Sequence, residues 1–165
     1  MYGIGQQVVH PMHGAGVIEG ITEEILSGAA RTYYVFRQAV SGLVLKLPAD
    51  NCEAIGVRPL SAPEQIEAVL EVIPQLPIGE ERNWNRRYRE NMSRLKSGDL
   101  RAVAQVVKSL MWRDARRGLS TGERKMLHSA KEILLSEMAM VHRVKYEDAE
   151  RRLDKAIMTG ACENG

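Results

Sequence analysis

Aromatic side chains are scarce in this chain. One Phe, two Trp and five Tyr stand among 165 residues. Its cores must therefore be built from Val, Ile, Leu, Met and Ala, and each aromatic needs a separate account. Cysteine is nearly absent as well. Cys52 and Cys162 are far apart and form no CxxC, which argues against a disulfide framework or a regularly spaced zinc site. Two free thiols in a reducing cytoplasm are the expectation. The opening MYGIGQQVVH lacks the basic stretch and apolar run of a signal peptide. No run of about 18 apolar residues is present to span a membrane. Phosphate-binding loops, dinucleotide fingerprints and the G-x-S-x-G elbow are missing too.

What is present is an uneven distribution of charge. The net charge is only +2. Between Arg82 and Lys125, however, thirteen basic residues face four acids, so this segment is strongly cationic and the remainder is acidic. A basic half joined to an acidic half predicts a polyanionic partner for one half alone.

The hydrophobic period also changes along the chain. Up to about residue 58 it reads as strands. Gln7-Val8-Val9 leads into a turn-rich His10-Pro11-Met12-His13-Gly14. Gly16 to Thr22 carries Val17 and Ile21 among smaller residues. Ser27-Gly28 and Ser41-Gly42 are turn signals on either side of the β-branched and aromatic stretch Arg31 to Phe36. Leu43, Leu45 and Leu47 then alternate with Val44 and Lys46 until Pro48, which ends a strand or marks a sheet edge. The expectation is a small antiparallel sheet or barrel.

From Ser61 the period is helical. Ser61-Ala-Pro-Glu64 has capping-box spacing. Asn83 can cap a helix running to Leu95, with Ser97-Gly98 as its stop. Asp99 can cap a third helix, with Val103, Val106, Val107, Leu110 and Met111 as its inner stripe. Ser120-Thr-Gly-Glu123 opens a fourth with Leu127, Ala130, Leu134, Met138 and Val141 inward, and Tyr146 to Ile157 forms a last one. The boundary falls near Gly56-Val-Arg-Pro59. This predicts an α+β chain: a β domain over 1–58, a helical domain over 61–160 and a frayed tail over 161–165.

Few residues suggest chemistry. His10 and His13 form an HxxH without a third ligand at motif spacing. Gly14-Ala-Gly16 fits a tight turn better than a phosphate cradle. Glu23-Glu24 and Glu80-Glu81 are adjacent carboxylates, which point apart on a strand or helix. His128 and His142 are too far apart to share a task. No catalytic set emerges, and the chain is expected to be neither an enzyme nor a cofactor binder. The strongest local feature is Asn83-Trp84-Asn85-Arg86-Arg87-Tyr88-Arg89. A Trp at a helix start, followed by arginines, can be an apolar wedge among phosphate contacts, or it can pack the linker onto the helix. Trp112 follows an apolar stripe and is expected in a core or interface.

These motifs resemble a known family. Gly5-Gln-Gln-Val-Val-His-Pro-Met-His-Gly-Ala-Gly16 and Leu47-Pro-Ala-Asp-Asn51 are similar to the polymerase-interacting module shared by CarD/CdnL proteins and the transcription-repair coupling factor. Asn83-Trp-Asn-Arg-Arg-Tyr88, Leu95-Lys-Ser-Gly-Asp99 and Arg117-Gly-Leu-Ser-Thr-Gly-Glu-Arg-Lys-Met-Leu127 resemble the helical domain of the CarD/CdnL branch. The resemblance implies a cytoplasmic transcription regulator with a Tudor-like N-terminal domain that binds the RNA polymerase β subunit. It implies a helical domain that meets promoter DNA, without sequence preference, in the minor groove at the upstream bubble edge. It places Trp84 at the wedge position, with Arg86, Arg87, Arg89 and Arg124 as DNA-binding residues. On the polymerase side it implies Lys46, with Val44 on the same strand, and Glu24 where the family carries a second basic residue. No membrane, small-molecule substrate or cofactor is implied. The open alternative is a polymerase-independent binder of RNA or single strands, which would use Trp84 for stacking.

Overall fold

The computed structural model describes residues 1–79 and 81–159. Cys162, Glu80 and the expected tail 161–165 lie outside the described residues. Five strands, β1 (Gln7–His10), β2 (Gly14–Leu26), β3 (Ala29–Gln38), β4 (Val44–Pro48) and β5 (Arg58–Pro59), form one antiparallel sheet in the order β4-β3-β2-β1-β5. A short helix, α1 (Cys52–Ile55), lies between β4 and β5. Five further helices follow: α2 (Pro63–Val72), α3 (Trp84–Lys96), α4 (Leu100–Arg117), α5 (Thr121–His142) and α6 (Tyr146–Thr159). A single 3₁₀ turn, Ile73–Gln75, extends α2. The α+β class expected from the change of period is the observed one.

Local chemistry explains the turns. Ser27 and Gly28 both take positive φ, 52° and 81°, as the central pair of a tight hairpin turn matched to strand twist. β2 is longer than its sequence suggests. Its buried side chains are Ala15 and Ile18, whereas Ile21 is exposed. A bulge between Ile18 and Gly20 shifts the alternation by one residue. Val8, Ile18, Tyr34, Phe36, Leu47, Cys52 and Val57 form the sheet's core around the chain's single Phe. Neither β5 nor α1 was legible as an element, because two and four residues carry no period.

The helical core is aliphatic, as the composition requires, with Trp112 its one buried aromatic. Trp112 is 7% exposed and donates its indole N–H to the Ile157 carbonyl at 3.2 Å. Asn83, Asp99 and Ser120 each cap a helix by accepting a backbone N–H. The first expected cap is different. Ala62, not Ser61, is the N-cap of α2, and Gln65 accepts the Ala62 N–H at 2.8 Å. Ser61 is drawn away because its own N–H donates to Glu137 at 2.8 Å.

That bond belongs to the junction between sheet and helices. Arg58 of β5 donates to both carboxylate oxygens of Glu137 on α5, at 2.8 and 2.7 Å. Glu137 is fully buried, so its charge must be paired to be tolerated. Beside it, Ser136 Oγ accepts the Ala15 N–H at 2.9 Å. Gly14 makes this approach possible: a Cβ there would lie 2.4 Å from Ser136 Oγ and 3.1 Å from the Ile133 Cα. Gly14 opens β2 against α5, where the sequence suggested only a tight turn. Ile133 to Met138 is buried without a break, because α5 meets the helical core on one side and β2 on the other.

Candidate nucleic-acid interface

The start of α3 is built by its cap. Asn83 Oδ1 accepts the Arg86 N–H at 3.0 Å, which fixes the first turn. Trp84 is the first helical residue and Tyr88 follows one turn later, so their rings share a face. They stack with centroids 5.0 Å apart and planes 19° from parallel. The indole N–H donates to Ser120 Oγ at 3.1 Å, and Gly122 backs onto the ring's edge. Trp84 nonetheless remains 42% exposed. Its ring is therefore held in one orientation, with one surface open.

Arg86, Arg89 and Arg124 are exposed around this ring's two helices. Arg86 has one distant partner, Glu81 at 3.6 Å. Arg89 gives its Nε–H to the Asn85 carbonyl at 3.4 Å within its own helix. Arg87 differs from the expectation of a DNA contact, and that expectation is corrected here. It points inward and is buried, with two bonds to Glu123 at 2.9 and 3.2 Å and others to the carbonyls of Glu81 and Arg82. Its donors are committed, so it positions α3 on α5.

Glu123 was read only as part of a capping box. It is the hinge of this arrangement: 3% exposed, bonded to Arg87 and Ser120, with Arg113 at 3.8 Å. Burial pushes its carboxyl upward, but Arg87, Ser120 and Arg113 together hold it below the ordinary carboxylate range. The same Ser120 hydroxyl holds Trp84, so wedge, cap and ion pair form one network. Ser120 and Tyr88 lay inside motifs already singled out. The Arg87–Glu123 pairing, across 36 residues, had no local signal.

On the sheet, β4 occupies an edge. Val44 is 45% exposed there. Lys46 and Glu24 are not independent sites: they form an ion pair across the sheet's outer face, both partly exposed. The acid at a usually basic position is thus answered within the chain. His10 and His13 lie close, and His10 Nδ1 accepts the Met12 N–H at 3.0 Å. Among the described residues no group of three or more His, Cys, Asp or Glu could hold a metal. No described helix is long and apolar enough to cross a membrane.

Comparison with known proteins gives two family matches. Residues 2–61 match the CarD-like/TRCF RID domain, and residues 68–154 match the CarD C-terminal domain. A relative from Bacillus subtilis (strain 168), YdeB, named as a candidate transcription factor, is 30% identical over 141 residues. The alignment covers 86% of this chain and 92% of YdeB.

Proposed function

The chain belongs to the CarD-like family of transcription regulators, and from that premise we propose that it bridges RNA polymerase and promoter DNA to prolong the open complex. In this reading the edge strand β4 docks on the β subunit, through main-chain bonds and the exposed Val44 side chain. Lys46 contributes once its bond to Glu24 is exchanged or shared. The helical domain meets DNA at the upstream edge of the bubble, with Arg86, Arg89 and Arg124 on phosphates.

The observation that carries this reading is the fixed, half-open Trp84 ring. A side chain that only packed a linker would bury both faces. Here one face is open and the ring is already oriented by Ser120 and Tyr88. Such a ring can fill the gap beside an unstacked base step, and closing the bubble must first expel it. Recovering about 1.4 kcal/mol of the unstacking cost would lengthen bubble lifetime roughly tenfold. Preorganisation matters because little rotamer entropy is lost on insertion.

Competitor-challenged dissociation of open complexes tests this. Trp84→Ala should keep the fold and polymerase binding while open complexes decay about tenfold faster. Lys46→Glu should weaken polymerase binding instead. A folded Trp84→Ala protein that prolonged open complexes as well as the parent would overturn the wedge. Tight binding of single strands in the absence of polymerase, lost with Trp84, would favour the stacking alternative.

A further inference from the structure

α3 and α4 enclose a concavity with residues 74–79, 81 and 82. Its volume is about 690 Å³, within the range of small-molecule sites. Seven basic side chains line it, against the carboxylates of Glu81 and Glu90. Two of the seven are fully committed: Arg87 is bound to Glu123, and the Lys108 ammonium donates to the carbonyls of Ile73, Pro74 and Leu76 at 2.8, 3.0 and 2.9 Å. Arg94 gives one N–H to Asn91 Oδ1 at 3.1 Å, and Arg113 pairs with Glu123. Glu81 faces Arg86.

The other cations are left with donors to spare. Among the described residues, Arg82, Arg94, Arg116 and Arg117 have no carboxylate within ion-pair distance. The Arg113 Nε, 3.8 Å from Glu123, makes no hydrogen bond. Arg116 lies over the Trp112 ring at 5.4 Å, which limits its motion. Like charges gathered around a partly enclosed space repel one another and focus a positive potential inside it. An anion rich in oxygen relieves that repulsion, and guanidinium forks match phosphate geometry.

We propose that this cavity binds a small polyphosphate, a chain of two or more phosphoryl groups either free or carried by a nucleoside. The concave shape favours a small ligand over a duplex, whose phosphates lie on a convex rod. The site begins beside the wedge, at Arg82 and Arg87, and extends along α3 away from it. Arg94 stands ten residues along α3 from Trp84, about 15 Å at helical rise.

Calorimetric titration of the full chain at low salt decides it, with inorganic tripolyphosphate, ATP and GTP as probes. Saturable one-site binding is expected. Arg94→Gln and Arg117→Gln should each weaken it about tenfold, and Arg124→Gln, on α5 outside the cavity, should leave it unchanged. Arg117 is exposed, so its variant keeps the test valid should Arg94→Gln fold poorly. Equal affinity for the three probes assigns the site to the phosphate chain. Tighter binding of the nucleotides assigns the base to the cavity as well. Absence of saturable binding into the millimolar range would overturn the proposal. So would an equal loss with Arg124→Gln, or displacement of tripolyphosphate by a DNA duplex, because either would return the phosphates to the surface proposed to face DNA.

Discussion

Helix α5 carries two buried glutamates, and each is held by an arginine from elsewhere in the chain. Glu137 binds Arg58 of the sheet domain, and Glu123 binds Arg87 of α3. The chemistry is the same and the consequences differ. Glu137 joins two domains: its carboxylate takes both Arg58 nitrogens and the Ser61 N–H, and no other cation stands near it among the described residues. Glu123 joins two helices of one domain and has a second cation, Arg113, in reserve. One anchor sets how the sheet and the helices are oriented. The other sets where the wedge stands. A buried ion pair is weak evidence of net stability, but breaking one strands a charge, so the two anchors can be separated by removing one partner at a time.

Glu137→Ala should have the largest effect, about 3–5 kcal/mol of stability, because Arg58 and the Ser61 N–H lose their acceptor together. Denaturant unfolding measures it, and Glu137→Gln should recover part by keeping an acceptor. Arg87→Ala should lose less, about 2–3 kcal/mol, since Arg113 can move toward Glu123. Its signature is selective: open-complex lifetime should fall while polymerase binding holds. Equal damage to both activities would show that the two anchors do not act separately.

Acid should find the junction first. His10 ends β1 beside the Gly14 contact, and burial followed by the neighbouring His13 lowers its pKa to about 4. Its Nδ1 accepts a backbone N–H, so protonation costs that bond. With the folded value below the unfolded one, the unfolded chain binds more protons between pH 6.5 and 4. Stability is therefore complete above pH 6.5 and falls through this window by about 2 kcal/mol, allowing for partial solvent access. His10→Asn should flatten the profile. Hydrogen exchange would check that protection at Ala15 drops before protection around Glu123. The smallest effects belong to the exposed cations. Arg86→Ala and Arg124→Ala should shift stability by less than about 0.5 kcal/mol. Each should nonetheless reduce the salt dependence of promoter-complex stabilisation by a slope of about one. Unchanged slopes would remove both from the DNA face.

Sequence reading succeeded and failed in one pattern across the molecule. Trp112, which follows an apolar stripe, is buried as expected, whereas Trp84, left open between a wedge and linker packing, is 42% exposed. The β2–β3 turn, the Asn83, Asp99 and Ser120 caps and the helical stripe of α4 were legible because their partners lie within four residues. Arg87 was misread because its motif is uniformly basic, and only its partner's position distinguishes it from Arg86 and Arg89. The stripe on α5 was read as one-sided because amphipathicity reports a single face, whereas Ser136 and Glu137 are buried against β2 and β5.

By itself the sequence determined the class of the longer elements and the order of sheet and helices, which depend on short-range periodicity, capping and turn chemistry, and its motifs carried the family resemblance. Tertiary structure alone decided which arginines are free. Arg58 and Arg87 find their carboxylates 79 and 36 residues away. Arg86, Arg94, Arg116 and Arg117 keep donors for a partner because no buried acid lies opposite them among the described residues. A guanidinium's role depends on the charge it meets and on the solvent it loses, and both are set only when distant segments pack together.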